Sequence, residues 1–536
     1  MSGLAVRRER TDQKALGAFY TEDFAANRLV KWAIRDRKAV VLDPSCGDGS
    51  FLDAAASRLV QLGSSSPRLY GIDVSADALR DAGQRASHAE LVLSDFFDLA
   101  PRSLPQFDCV VGNPPYIRYQ TFNSDTSSKG HLRAMEAGVE LPRLASSWAP
   151  FVVHSARFLR PGGRLAMVMP SELGHAMYAR AVLQFLVQHF RNITIEMFRD
   201  KIFGELGQST VLLLCDGFGE ACHKFIVSSA DNLESDQREA RTVDIEAVKN
   251  GKFRLNNYLL PAPVLSLYAA LADHPRVKKL GDVADVGIGY VTGANDFFHL
   301  SDEERGQWKI NSKFLRPALL NLRAVEGTQF RREDWMIRRE AGEKVHLLAL
   351  PAVEKESLPE PIQRYLRLGE INGVADRYKC RKRKFWYVVP NVRVADAFLS
   401  YMSGEMPYFV SNPADLVAPN TVHVVRFLNG YNSSSVAAAW RNSLTKLSCE
   451  LEGHALGGGL FKLEPSEAER ILVVAPRAAH KRALLEYFDR CPTGSMERGL
   501  NLSDRYLLRE VIGLSEAECN SLRQAAMRIE QWRKHQ

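Results

Sequence analysis

The sequence predicts an α/β fold, a doubly wound Rossmann-like sheet closed by an antiparallel pair and followed by a mixed α+β region. Three observations carry that prediction. Across residues 38–226 short apolar runs alternate with amphipathic stretches, the pattern of parallel βαβ units. Two later apolar runs, 193–198 and 209–215, are joined by only a short stretch and read as an antiparallel pair closing the sheet. Beyond residue 280 the pattern changes to short strands, frequent Gly and Pro, and clustered Arg and Lys.

Taken in order, strands are expected at 39–42, 69–72, 91–93, 109–111 and 165–169, with helices at 51–62 and 76–86. A polar, acidic run over about 228–244 reads as a linker. The expected division is a first domain at 1–240, a linker at 241–280, a second domain at 281–476 and a helical segment at 477–536.

Composition narrows the class. Hydrophobic residues are 46% and charged residues 25% of the chain, enough apolar material for large cores without disulfides or metals. The eight cysteines form no CxxC pair, so reduced thiols are expected and a zinc site is not. The N-terminus lacks an apolar signal region, and no apolar run approaches the ~20 residues that span a bilayer. A cytoplasmic protein without membrane association is expected. Net charge is +7, but residues 1–250 sum to −1 and 251–536 to +8. The basic half suits a polyanion, although a solvated surface gives the same excess.

Four motifs at strand ends carry chemistry. Asp43-Pro44-Ser45-Cys46-Gly47-Asp48-Gly49-Ser50 follows the first strand, and its glycines let a ligand approach the backbone. Asp73 ends the second strand in Gly-Ile-Asp, placed either to hold ribose hydroxyls or to cap the next helix. Asp95 and Phe96 end the third, where an acid can accept from an adenine amino group and a ring can pack beside it. Asn113-Pro114-Pro115-Tyr116 ends the fourth. Two prolines stiffen that turn and remove two N–H donors, so it presents acceptors. The Asn113 side-chain oxygen and the Pro114 carbonyl can both accept from one NH2 group, while Tyr116 offers a flat face to a base.

With Gly17-Ala18-Phe19-Tyr20-Thr21 ahead of them, these motifs resemble the gamma class of DNA adenine-N6 methyltransferases, the TaqI type. The resemblance covers residues 15–226 and, more loosely, 280–475. It implies a catalytic domain that binds S-adenosylmethionine through Tyr20, Thr21, Asp43, Cys46, Gly47, Gly49, Asp73 and Asp95, and a C-terminal target-recognition domain. Glu22 stands where that family usually has Pro. Phe203 matches the aromatic that sandwiches an extruded adenine against Tyr116; otherwise it is a core residue. The target amine lies inside the duplex, so the base is expected to flip out.

In the second half, residues 285–298 resemble the opening of that recognition region, and 412–423 and 457–463 resemble later landmarks. Arg377-Tyr378-Lys379-Cys380-Arg381-Lys382-Arg383-Lys384-Phe385-Trp386-Tyr387 interleaves cations with aromatics, suited to phosphates and splayed bases, or else a solvated loop. Lys379, Arg381, Lys382, Arg383 and Lys384 are the expected DNA-binding residues. The implied partner is double-stranded DNA, with a separate restriction endonuclease as a companion and the protein itself a monomer. An RNA adenine methyltransferase and a glutamine-N5 protein methyltransferase are the alternatives. The second is disfavoured by the large basic region after the catalytic part.

Overall fold

The computed structural model describes residues 23–535, except 118–123, 201–209, 234, 236, 323, 324, 326, 429, 457, 458 and 491–495. The chain divides into two compact units, Met1–Leu259 with the last two residues, and Leu260–Lys534. The division therefore falls inside the stretch expected as a linker.

The first unit is built on nine strands: β1 (Val40–Asp43), β2 (Arg68–Asp73), β3 (Glu90–Leu93), β4 (Phe107–Gly112), β5 (Leu159–Pro170), β6 (Phe190–Phe198), β7 (Thr210–Phe218), β8 (Lys224–Ala230) and β9 (Glu239–Thr242). Their order is β3-β2-β1-β4-β5-β7-β6-β8-β9. The first five run parallel, and β7 lies antiparallel between β5 and β6. This is the doubly wound sheet with its antiparallel closure. The acidic run expected as a linker is partly sheet instead, since β9 pairs with β8 over Ser229↔Glu239 to Ile226↔Thr242. Its short strand is mostly exposed, so it lacks the apolar alternation that would have revealed it.

Charge pins the closing register. Arg164 of β5 faces Asp216 of β7 and binds it at 2.6 Å. Helices cover the sheet: α1 (Asp23–Ala33), α2 (Ser50–Gln61), α3 (Ala76–Arg85), α4 (Ser124–Glu136), α5 (Trp148–Ala156) and α6 (Ala179–His189). Helix α1 buries Ala25, Ala26, Leu29, Val30 and Ala33 on one stripe, and its Arg28 forks onto Glu196 of β6 at 2.8 and 2.9 Å. All nine residues of α5 are buried, so it is a core helix rather than an amphipathic one.

The second unit is mixed α+β. A four-stranded antiparallel sheet runs in the spatial order 284–288, 422–427, 397–400, 409–411. Two three-stranded sheets accompany it, and helices dominate from Ala478 to His535. Among the described residues no helix is long and apolar enough to cross a membrane.

Candidate active site

Strand β4 carries the chain into Asn113-Pro114-Pro115-Tyr116 at the carboxyl edge of the sheet, and β1, β2 and β3 deliver the acidic motifs to that same edge. The parallel register alone puts them together. Gly112 is required at the start of the turn, because a Cβ there would lie 2.8 Å from the Asp43 Oδ1 atom.

The turn's acceptors can be followed one by one. The Asn113 carbonyl accepts from the Ser45 hydroxyl at 3.2 Å, which ties the turn to the glycine loop. The Pro115 carbonyl accepts from the Ser147 hydroxyl. The Tyr116 hydroxyl lies 2.6 Å from Asn113 Oδ1 and 2.9 Å from the Val168 carbonyl, two acceptors for one proton. Among the described residues no donor reaches the Pro114 carbonyl. Tyr116 is more enclosed than a stacking platform was expected to be, at 8% exposure, because its hydroxyl is anchored inward. Burial holds that phenol well above its ordinary pKa, so it donates and does not ionise.

The glycine loop is shaped from inside. Gly49 takes a left-handed conformation (φ 85°) at the start of α2, and a Cβ there would meet the Ala82 backbone at 2.8 Å. Gly47 is also left-handed (φ 50°) but faces open space, with no heavy atom within 4 Å of a Cβ position. Asp48 holds the loop through Ser50 at 2.7 Å and Arg85 at 3.2 Å. Asp73 accepts from the Gly47 and Ser75 amides, both at 2.9 Å. The capping alternative falls to Ser75 instead, which accepts from Ala78 N at the start of α3. Asp95 accepts from Phe97 N at 3.0 Å, and Lys129 stands 3.8 Å from its other oxygen.

Three of the expected cofactor residues have buried side chains. Phe96 does not stand free beside a cofactor ring. It is 3% exposed and packs against Phe151, His154 and Phe158, with centroids 4.7–5.1 Å away. The Cys46 side chain also points into the core, against the space above Gly71, and burial raises its thiol pKa; only its backbone shapes the loop. Asp43 is 1% exposed, accepts from Ser45 N at 3.2 Å, and is pushed up to about 8, chiefly by burial and further by Asp73 and Asp48. Tyr20, Thr21 and Phe203 lie outside the described residues.

In the second unit two of the sequence landmarks meet. Cys380 donates to the Thr292 carbonyl at 3.5 Å, and a Cβ at Gly293 would meet the Lys379 side chain at 2.8 Å. Arg383 is a correction to the expected set of DNA-binding cations. Its guanidinium is half-buried and donates to the Val291 and Thr292 carbonyls at 2.6 and 2.7 Å, so its charge holds the loop. Lys379, Arg381, Lys382 and Lys384 are exposed. The aromatics of the block divide likewise. Trp386 and Tyr387 pack inward in the core built on Phe297 and Tyr365, whereas Tyr378 is 61% exposed. Asn412 and His423 are buried scaffolding that bonds main-chain groups of Ala395, Leu416 and Leu463.

Comparison with known proteins agrees with this layout. Residues 73–203 match the family model of the Eco57I restriction-modification methylase, and residues 252–508 match the C-terminal domain of the Type II methyltransferase M.Eco57I. The Type II methyltransferase M.AccI of Acinetobacter calcoaceticus is 20% identical, and M.XamI of Xanthomonas campestris pv. amaranthicola 22% identical. The M.AccI match covers 85% of both chains, and the M.XamI match 87% of this chain and 86% of that one. The fold is similar to that of the Type IIL restriction-modification enzyme MmeI in complex with DNA, with a TM-score of 0.53 at 12% identity, over 95% of this chain and 71% of that one.

Proposed function

We propose that this chain, which matches the Eco57I restriction-modification methylase model over residues 73–203 and the M.Eco57I C-terminal domain over 252–508, methylates the exocyclic N6 of adenine in double-stranded DNA. The coarse activity is that of a DNA methyltransferase that uses S-adenosylmethionine. The observation that carries the adenine reading is the acceptor pattern of the turn. The Asn113 and Pro115 carbonyls accept from Ser45 and Ser147, no described donor reaches the Pro114 carbonyl, and the Asn113 side-chain oxygen accepts from the Tyr116 hydroxyl, a donor that has the Val168 carbonyl as its alternative.

The residues present fit S-adenosylmethionine. Gly47 opens onto space no side chain fills, and Asp73 and Asp95 stand at adjacent strand ends with carboxylate lone pairs left for hydroxyl and amino donors. When bound, it supplies an electrophilic methyl group. The chain's own work is positional. Asn113 Oδ1 and the Pro114 carbonyl accept from the two N–H bonds of the target, which draws its nitrogen toward a pyramidal shape and aims the lone pair. The phenolic proton of Tyr116 turns to the Val168 carbonyl as the amine takes its place on Asn113, with no movement of the ring. Orientation and electrostatic complementarity then supply most of the rate. Lys379, Arg381, Lys382 and Lys384 bind phosphates of the duplex in this reading, and the chain is the modification arm of a restriction-modification pair.

Purified protein is incubated with labelled S-adenosylmethionine and, separately, unmodified genomic DNA, RNA and protein extract. Label is expected in DNA, and label confined to RNA or protein sinks the proposal.

A further inference from the structure

We infer that Ser147 is a positioning residue for methyl transfer, a clamp that fixes which carbonyl of the Asn-Pro-Pro-Tyr turn faces the target amine; this rests on the proposed adenine reading. Ser147 is 1% exposed and lies immediately before α5. A serine there would ordinarily cap the helix by accepting from its first N–H groups. It does not. Its backbone is already helical (φ −55°, ψ −31°), and its side chain makes no capping bond. The hydroxyl turns instead to the catalytic turn, donating to the Pro115 carbonyl and accepting from Ile117 N at 2.8 Å. Its own amide donates to the Ile117 carbonyl at 3.1 Å, so one serine brackets the exit of the turn with three bonds.

The reason lies in the prolines. Pro114 and Pro115 have no N–H, so the turn cannot close itself with a main-chain bond from either residue. Two successive carbonyls, of Pro114 and Pro115, are then candidates for the target's hydrogens. The Ser147 hydroxyl holds the Pro115 carbonyl while no described donor holds that of Pro114, so the bond fixes the peptide that follows Pro115 and leaves the earlier carbonyl to the target. The seat of the clamp is firm. The next residue, Trp148, is fully buried, and its indole N–H lies 3.1 Å from the Tyr178 hydroxyl and 3.4 Å from Glu172 Oε2. Tyr178 in turn donates to that same oxygen at 2.6 Å. Ser147 thus touches neither cofactor nor target, and acts through the turn.

The test uses the full-length chain with S-adenosylmethionine and unmodified genomic DNA. Ser147→Ala is expected to slow single-turnover transfer by about tenfold or more, because a small misplacement of reacting groups is costly. Affinities for S-adenosylmethionine and for DNA should stay within about twofold, since a positioning residue adds nothing to ground-state binding. Ser147→Thr, which keeps the hydroxyl, should recover most of the rate. A wild-type rate in Ser147→Ala overturns the inference. So does a loss of rate matched by an equal loss of cofactor affinity and a fall in melting temperature, the signature of general damage. If Ser147→Thr fails to fold, Ser147→Cys, with a weaker donor, should fall between wild type and Ser147→Ala. Wild-type protein that leaves adenine unmodified counts against the adenine reading alone; the clamp is then judged by the same variants on whichever DNA amine the wild type methylates.

Discussion

The two units use polar residues in opposite ways. In the first, the motif residues sit at strand ends, and the acceptor atoms of Asn113, Pro114, Asp73 and Asp95 gathered at one edge of the sheet are what make a site there. In the second, the residues that stand out in the sequence are turned inward. Arg383 braces the Val291–Thr292 turn, Asn412 and His423 bond main chain, and Trp386 and Tyr387 fill a core. What is left outside is a set of exposed cations, of which Lys379 and Arg381 stand over the Tyr378 ring and Lys384 over that of Phe385. Chemistry demands atoms held in one place, whereas phosphate attraction tolerates a mobile charge.

The largest expected effect strikes the first unit. Asn113→Ala removes an acceptor from the amine and should lower the single-turnover rate by about two orders of magnitude or more, with DNA affinity nearly unchanged. Loss of DNA binding instead would break the division of labour. The complementary change, Lys382→Ala with Lys384→Ala, should weaken DNA binding, with the slope of log affinity against log salt falling by about two. Cofactor affinity, measured by calorimetry, should not move. An unchanged slope would mean these cations are only a solvated loop.

Two smaller effects sharpen the account of the turn. Tyr116→Phe keeps the ring and removes the hydroxyl that orients Asn113, so a fall in rate of roughly fivefold is expected, about 1 kcal/mol. No change would show that Val168 and Asn113 need no such bridge. Asp43 supplies a pH signature. Its folded pKa, about 8, lies above its ordinary value of 3.8, so the folded chain holds a proton that the unfolded chain has lost. Its contribution to stability is present in full below pH 4 and is lost as pH rises toward 8. In Asp43→Asn that decline is absent, so the difference in melting temperature between variant and wild type should grow from pH 5 to 8 and then level off.

How much of this was legible follows from the same physics. The sheet of the first unit could be read because each parallel strand is a continuous apolar run ending in a turn motif, and Asn113 to Tyr116 announces itself by two prolines. Strand β9 was missed because an exposed acidic edge carries no apolar period, and β8, buried over most of its length, ends in two serines and an alanine that blurred into the polar run after it. The inward turn of Phe96 and Cys46 was not legible because a strand end has two faces, and sequence does not say which one a side chain takes. Ser147 was invisible for a different reason. It is 32 residues from the carbonyl it holds, and its sequence context resembles an ordinary helix start.

The most direct test of the central claim is the identity of the methylated nucleoside. DNA modified by the wild-type chain and by Asn113→Ala is digested to nucleosides and separated against standards. The account predicts N6-methyladenine from the wild type and its near-disappearance from the variant. Methyl groups on cytosine, or N6-methyladenine undiminished in Asn113→Ala, would contradict it.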